Sequence, residues 1–275
     1  MKPVIRALAD ATRRLEAISD THRLDAELLM AAALEIERDA LLLNPPGGKV
    51  PESFAAMLER RLAGEPVAYI TGKRAFWNIE LMVGPGALIP RPDSEVLIVT
   101  AIDHFGSLSP PKRILDLGTG PGTLLLAALD LWPGATGVGV DSSAQALDYA
   151  KANAKRLGLA PRAHFKRGNW AVGITEQFDL ILCNPPYVAE DAELGPGVAE
   201  YEPHEALFAG GTGLDEIKAL APQLPPLLPK HGLAMVEIGH DQGESATAIL
   251  SAAGFITHLK HDLGGRPRAL ALTKP

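Results

Sequence analysis

The chain has 275 residues, 47% apolar and 21% charged, enough to bury a core, which excludes both a disulfide-stapled mini-protein and a disordered chain. Its 26 basic and 33 acidic residues leave a net charge of −7, which argues against nucleic-acid binding by bulk phosphate neutralisation without excluding a local basic patch. The single cysteine, Cys183, rules out an intrachain disulfide and a cysteine-built zinc site.

The N-terminal segment carries scattered charges instead of the apolar core of a signal peptide. No apolar run approaches the roughly 18 residues of a bilayer span. The expectation is a soluble, cytoplasmic, monomeric protein without a membrane partner.

Residues 1–64 read as a small helical bundle. Leu8, Ala11, Leu15 and Ile18 recur at helical spacing over Arg6–Ile18. Asp25–Ile36 is built almost wholly of strong helix formers, and Asn44-Pro45-Pro46-Gly47-Gly48 is a break. A further helix is predicted from Pro51 to Ala63, with Gly64 past its end. Residues 65–92 change texture. Short β-branched and aromatic runs (VAYI, AFW, IELMV, ALI) alternate with Thr71-Gly72 and Gly84-Pro85-Gly86, which predicts extended segments in a connector of one or two hairpins, closed by Pro90-Arg91-Pro92.

Residues 93–275 repeat strand, glycine turn, helix. Strands are predicted at Arg113–Leu117, Thr136–Val140, Ala163–Lys166, Phe178–Cys183, Leu233–Ile238, Phe255–Leu259 and Ala269–Leu272. Helices are predicted near Thr123–Leu131, at Ala144–Leu157 and at Gly243–Ala253. Apolar strands alternating with helices imply an α/β domain, a Rossmann-like, mostly parallel sheet covered on both faces.

Two turns carry chemistry. The first is Gly118-Thr119-Gly120-Pro121-Gly122, leaving a strand and entering a helix. Glycines let the backbone turn tightly and approach a ligand closely. The spacing is G-x-G-x-G, not the dinucleotide G-x-G-x-x-G, and Pro121 offers no N–H to a phosphate. Asp141 ends the next strand, where a carboxylate can accept from both hydroxyls of a ribose. A nucleoside without a phosphate fits this pair, and S-adenosylmethionine is such a ligand. The plain alternative for the loop alone is ordinary α/β packing.

The second is Asn184-Pro185-Pro186-Tyr187, after the fourth strand. The Asn184 side-chain oxygen and a proline carbonyl can each accept one hydrogen of a planar –NH₂ group, turning its lone pair toward a methyl donor. Tyr187 can stack on the flat group. Catalysis at a weakly nucleophilic nitrogen then rests on positioning, without a strong base. A rigid proline turn capping a strand is the plain alternative. Trp170, in Gly168-Asn169-Trp170, either lies on an adenine ring or packs under the sheet edge. Cys183 reads as a buried small hydrophobe, and His258 and His261 lack a third metal ligand.

These residues resemble the release factor glutamine methyltransferases, the HemK/PrmC family, over nearly the whole chain. The resemblance rests on DAELLMAAAL, LERRLAGEPVAYITGKRAFW, Leu88-Ile89-Pro90-Arg91-Pro92-Asp93-Ser94-Glu95, DLGTGPG, Asp141, GNW and NPPY. It extends to Tyr201-Glu202-Pro203 with Ala206-Leu207, Glu237-Ile238-Gly239, and Asp262-Leu263-Gly264-Gly265 with Arg266. NPPY alone is shared with adenine-N6 DNA methyltransferases.

The resemblance implies a class I methyltransferase sheet and methyl transfer from S-adenosylmethionine, leaving S-adenosylhomocysteine. The acceptor is the side-chain amide N5 of glutamine in the Gly-Gly-Gln tripeptide of peptide chain release factors, and DNA is not a partner. It implies cofactor binding by Gly118, Thr119, Gly120, Pro121, Gly122, Asp141, Trp170 and Asn184. It assigns catalysis and the substrate grip to Asn184, Pro185, Pro186 and Tyr187, and substrate recognition to the helical domain. Pro121, Ser94 and Thr212 depart from the family pattern, the last in a Gly-Gly-x-Asp-Gly-Leu stretch where it takes the acidic position. The competing expectations are a nucleic-acid amino-methyltransferase, which needs a basic track this chain does not show, and a non-catalytic adaptor, against which an intact NPPY argues.

Overall fold

A computed structural model describes residues 2–106, 108–195 and 197–275. They pack as two units, residues 1–73 with 194–201, and residues 74–193 with 202–275.

The first unit is helical. It contains α1 (Pro3–Leu15), α2 (His22–Ala33), α3 (Arg38–Leu43), α4 (Glu52–Leu62) and α5 (Val67–Thr71). Val4, Ala11, Leu15, Leu29, Met30, Leu41, Phe54 and Leu58 form its core. Pro3 opens α1 where a missing N–H costs nothing, and Arg13 and Arg14 sit in its last turn, favourable to the helix dipole. Asp25 in α2 is buried. Arg61 Nε donates to it at 2.8 Å and the Ser19 hydroxyl at 2.8 Å, so the charge is not left alone.

The run VAYI differs from expectation. It is predicted as extended and forms α5 instead, entered from Pro66 and ended by Gly72 at φ +74°. Its β-branched and aromatic composition favours a strand only weakly. Burial of Ala68, Tyr69 and Ile70, with Ile70 in the helical core, overrides that preference. Only the later part of the connector is a hairpin. Residues 194–201 end in α9 (Val198–Tyr201), and the Tyr201 hydroxyl donates to the Ala63 carbonyl at 3.3 Å.

The second unit opens with β1 (Lys73–Phe76) and β2 (Ile79–Met82), a hairpin with Trp77 in its turn at φ +53°. Then come α6 (Glu95–Gly106), β3 (Arg113–Leu117), α7 (Thr123–Leu131), β4 (Thr136–Asp141), α8 (Ala144–Arg156), β5 (Ala163–Arg167) and β6 (Leu180–Cys183). They are followed by α10 (Asp215–Leu220), β7 (Leu233–Glu237), α11 (Gly243–Ala252), β8 (Ile256–His261) and β9 (Pro267–Thr273).

Among the described residues, seven strands form one sheet in the order β5-β4-β3-β6-β7-β9-β8. The first five pair in parallel, and β9 runs antiparallel to both β7 and β8. Every residue of β6 and β7 is buried, as two covered faces require. The chain order turns back between β3 and β6, where open α/β sheets leave a crevice at the strand ends.

One buried side chain ties hairpin, helix and loop together. Asn153 of α8 accepts from Met82 N–H at 2.7 Å, and its Nδ2 donates to the carbonyls of Met82 at 3.0 Å and Pro121 at 2.9 Å. Asn153→Ala leaves these backbone groups unpaired and is expected to destabilise the fold by roughly 3 kcal/mol. Urea unfolding checks this, and a loss under about 1 kcal/mol would mean the groups find other partners.

Candidate functional site

The glycine loop leaves β3 on the β4 side. Gly118 and Thr119 N–H groups donate to the Val140 carbonyl at 2.9 and 3.0 Å. Gly118, Gly120 and Gly122 have φ of +72°, +55° and +90°, so the loop uses the conformations only glycine adopts without strain. A Cβ on Gly118 would come within 3.3 Å of the Trp170 ring, and one on Gly122 within 2.7 Å of Leu126. The loop therefore needs glycine for close approach as well as for its turn.

Asp141 closes this loop from the end of β4. Its two oxygens accept from Gly120 N–H and Ser143 N–H, both at 2.8 Å. Burial pushes its carboxyl up, while those two N–H groups oppose the shift.

The second turn leaves β6. Asn184 donates from Nδ2 to the Ser94 hydroxyl at 3.2 Å. Pro185 is buried. Tyr187 directs its hydroxyl to Glu237 Oε1 at 3.4 Å, and burial pushes its phenol well up. The Tyr187 carbonyl accepts from Gln242 Nε2 at 2.9 Å.

A cavity of about 420 Å³ lies between the two turns. Gly118, Thr119, Gly120, Pro121, Asp141, Trp170, Asn184 and Pro186 all form part of its wall. Gly122 turns the chain into α7, and Pro185 and Tyr187 support the second turn. Of the sequence-predicted site residues, the structure thus brings eight together around one space and puts three immediately behind them. Trp170, at φ +47°, donates from Nε1 to Glu216 Oε2 at 2.7 Å, so its ring is held in the wall by its polar edge.

Sequence reasoning missed several carboxylates. Asp116, in β3, is buried and accepts from the Thr119 hydroxyl at 2.6 Å and Leu125 N–H at 3.1 Å, leaving Oδ1 without a partner. Burial pushes it up to about 7. An acid inside the otherwise apolar run ILDL was the available signal. Glu237, wholly buried at the end of β7, is likewise pushed up to about 7 by burial, and its Oε2 has no partner. Glu205 and Glu216 add further negative charge to the wall.

Glu202 accepts from Ile89 N–H at 2.9 Å and pairs with Arg91. It joins the Leu88–Glu95 loop to Tyr201-Glu202-Pro203, two motifs over a hundred residues apart whose side-chain roles sequence alone did not reveal. Gln242 holds the loop around Thr212 by donating to the carbonyls of Thr212 and Gly213, so an acid at position 212 is not required for this conformation. Cys183 is buried with its thiol pushed up by burial, as suits a packing residue. No metal-ligating cluster occurs among the described residues.

The Asp116 carboxyl makes a prediction. Its folded value lies above the unfolded one, so the folded state holds the extra proton and stability falls as pH rises from about 4 to about 7. Asp116→Asn removes this titration. Its stability relative to the parent is expected to rise across that window by on the order of 4 kcal/mol. Urea midpoints at several pH values measure it, and a constant difference would refute the burial of a titrating acid.

Comparison with known families agrees with this geometry. Residues 6–72 match the PrmC N-terminal domain and residues 94–200 the Methyltransferase small domain. The release factor glutamine methyltransferase of Rhodospirillum rubrum is 41% identical over 254 residues, covering 90% of this chain and 78% of its own. That of Xylella fastidiosa is 39% identical over 274 residues, covering 98% and 97%. In fold, a methyltransferase from Pyrococcus furiosus superimposes with a TM-score of 0.54 at 14% identity, over 80% of this chain and 98% of that one. With both domains matched in order and that identity sustained over nearly its full length, the chain belongs to the release factor glutamine methyltransferase family.

Proposed function

We propose that the chain transfers a methyl group from S-adenosylmethionine to the side-chain amide nitrogen of the glutamine in the Gly-Gly-Gln tripeptide of peptide chain release factors. The observation that carries this reading is the pairing of the glycine loop and Asp141 with Asn184 around a single cavity.

The wall fits the cofactor. Trp170 stands in the cavity wall, where its aromatic ring can lie against an adenine ring. Asp141 faces the position of a ribose, and Gly118, Thr119, Gly120 and Pro121 line the path beside it. Gly122 starts the helix beneath. Asp141, Glu205 and Glu216 give the space a negative field, which favours a cationic ligand. When bound, S-adenosylmethionine supplies an electrophilic methyl on a positively charged sulfur.

The chain's own residues do the rest. Asn184 Oδ1 and a proline carbonyl of the Pro185-Pro186 pair accept the two hydrogens of the substrate amide. These acceptors push electron density onto the nitrogen and aim its lone pair. Pro186 bounds the flat group from the cavity wall and Tyr187 supports the turn from behind, which keeps the nitrogen at attack distance. The helical domain recognises the release factor away from its tripeptide, so a short peptide is a poorer substrate than the full protein. Among the described residues no helix is long and apolar enough to cross a membrane.

Incubation with radiolabelled S-adenosylmethionine, a release factor and duplex DNA is expected to label the release factor alone. Label on the DNA would favour the amino-methyltransferase that shares the NPPY turn. Asn184→Ala is expected to keep the fold and lower turnover by about 10²- to 10³-fold. Near-parental turnover would reject the amide grip.

A further inference from the structure

We propose that Arg91 receives the carboxylate at the amino-acid end of S-adenosylmethionine, and that Glu202 holds Arg91 in place for this task. The proposal rests on the reading of the cavity as the seat of that cofactor.

S-adenosylmethionine carries a sulfonium, an α-ammonium and an α-carboxylate. The cavity wall suits the two cations, because Asp141, Glu205 and Glu216 stand in it. The same acids repel the carboxylate, which needs a cation or several N–H donors to leave water. The glycine loop does not offer them. Gly118 and Thr119 N–H groups are taken by the Val140 carbonyl, Gly120 N–H by Asp141 and Gly122 N–H by the Thr119 carbonyl, and Pro121 has none. Among the described residues that line the cavity, Arg91 is the one basic side chain.

Arg91 is prepared for a second acceptor. Its Nη2 donates to Glu202, whose side chain is 1% exposed and which also accepts from Ile89 N–H at 2.9 Å. Among the described residues no other group accepts from the guanidinium, and the arginine side chain keeps 34% exposure. A guanidinium presents its donors as a planar fork that matches a carboxylate. Glu202 is not part of the cavity wall, so it fixes the fork from behind. The freedom that binding would otherwise remove is thus already given up in the folded protein.

The position agrees with the charge. Asp141 ends β4, the glycine loop leaves β3, and Asn184 follows β6, strands that lie in the order β4-β3-β6. Arg91 belongs to the loop whose Ser94 accepts from Asn184 Nδ2 at 3.2 Å. Asp141 and the Arg91 loop therefore stand on opposite sides of the glycine loop. A ribose at the first and a carboxylate at the second hold the two ends of one ligand, and the sulfur that joins them carries the methyl toward the side that Asn184 lines.

The test uses the full chain and titration calorimetry with two ligands, S-adenosylhomocysteine and its decarboxylated form, which keeps the ammonium. The parent is expected to prefer S-adenosylhomocysteine by about 10- to 100-fold. In Arg91→Ala the preference falls below about threefold, because S-adenosylhomocysteine loses affinity and the decarboxylated ligand hardly changes. Arg91→Lys, a point charge without the fork, keeps part of the preference. Removing Arg91 leaves a buried carboxylate unpaired and can lower stability. Both ligands meet the same folded fraction, so the ratio of their affinities is untouched by that loss.

A preference that survives in Arg91→Ala, whether both ligands weaken alike or neither does, would overturn the proposal, since a merely structural arginine moves both together. A parent indifferent to the carboxylate would overturn it as well. These measurements need no release factor. A chain that shows the Arg91-dependent preference but methylates no release factor refutes the acceptor reading alone. A chain that methylates the release factor and keeps its preference in Arg91→Ala refutes this proposal alone.

Discussion

The site depends on the parallel pairing of β3 with β6. Ile114 lies opposite Leu180 and Leu117 opposite Cys183, so Gly118 and Asn184 leave the sheet side by side. The approach is close enough that a Cβ on Gly118 would stand 3.7 Å from the Asn184 carbonyl. A slip of one residue in this register would reverse the faces of β6 and carry the Asn184-Pro185-Pro186-Tyr187 turn away from the loop. The sheet order turns back at this pair, which leaves space beyond the strand ends that neither neighbouring crossover fills. A donor site and an acceptor site can thus share one cavity without any movement of the sheet.

Around that pairing the protein spends buried carboxylates as fasteners. Glu202 has both oxygens engaged, by Ile89 N–H and by Arg91, and it anchors the loop that carries Ser94. Asp116 and Glu237 are different. Each holds its donors on one side and leaves one oxygen without a partner, and burial raises both toward neutrality. An unpaired buried acid is costly to a fold, so its survival beneath a site is informative. Asp116 grips Thr119 and the first turn of α7 and so shapes the glycine loop. Glu237 accepts from the Tyr187 hydroxyl and so steadies the turn opposite.

Much of this was legible in the sequence. Strand, glycine turn and helix recur with enough regularity from Arg113 onward that the parallel sheet follows from pattern alone. Gly118 to Gly122, Asp141 and Asn184 to Tyr187 announce themselves because their residue types are costly or restrictive anywhere else. The misread element was VAYI, where a weak strand preference lost to the burial of three consecutive side chains, Ile70 among them in the helical core. For Trp170 the structure shows both sides of the sequence's choice, since it lines the cavity with Nε1 on Glu216 and also packs against the core of the sheet.

The sequence by itself determined the class of sheet, the two chemical turns and the family, because each of these is written in local spacing and in residues a turn cannot do without. Only the tertiary structure decided which carboxylates matter. Glu202 meets Ile89 across 113 residues and Glu216 meets Trp170 across 46, and no periodicity links such pairs. The direction of the Asn184 amide is also a tertiary matter. Its Nδ2 donates to the Ser94 hydroxyl 90 residues away in the chain, a contact between groups that folding alone brings together.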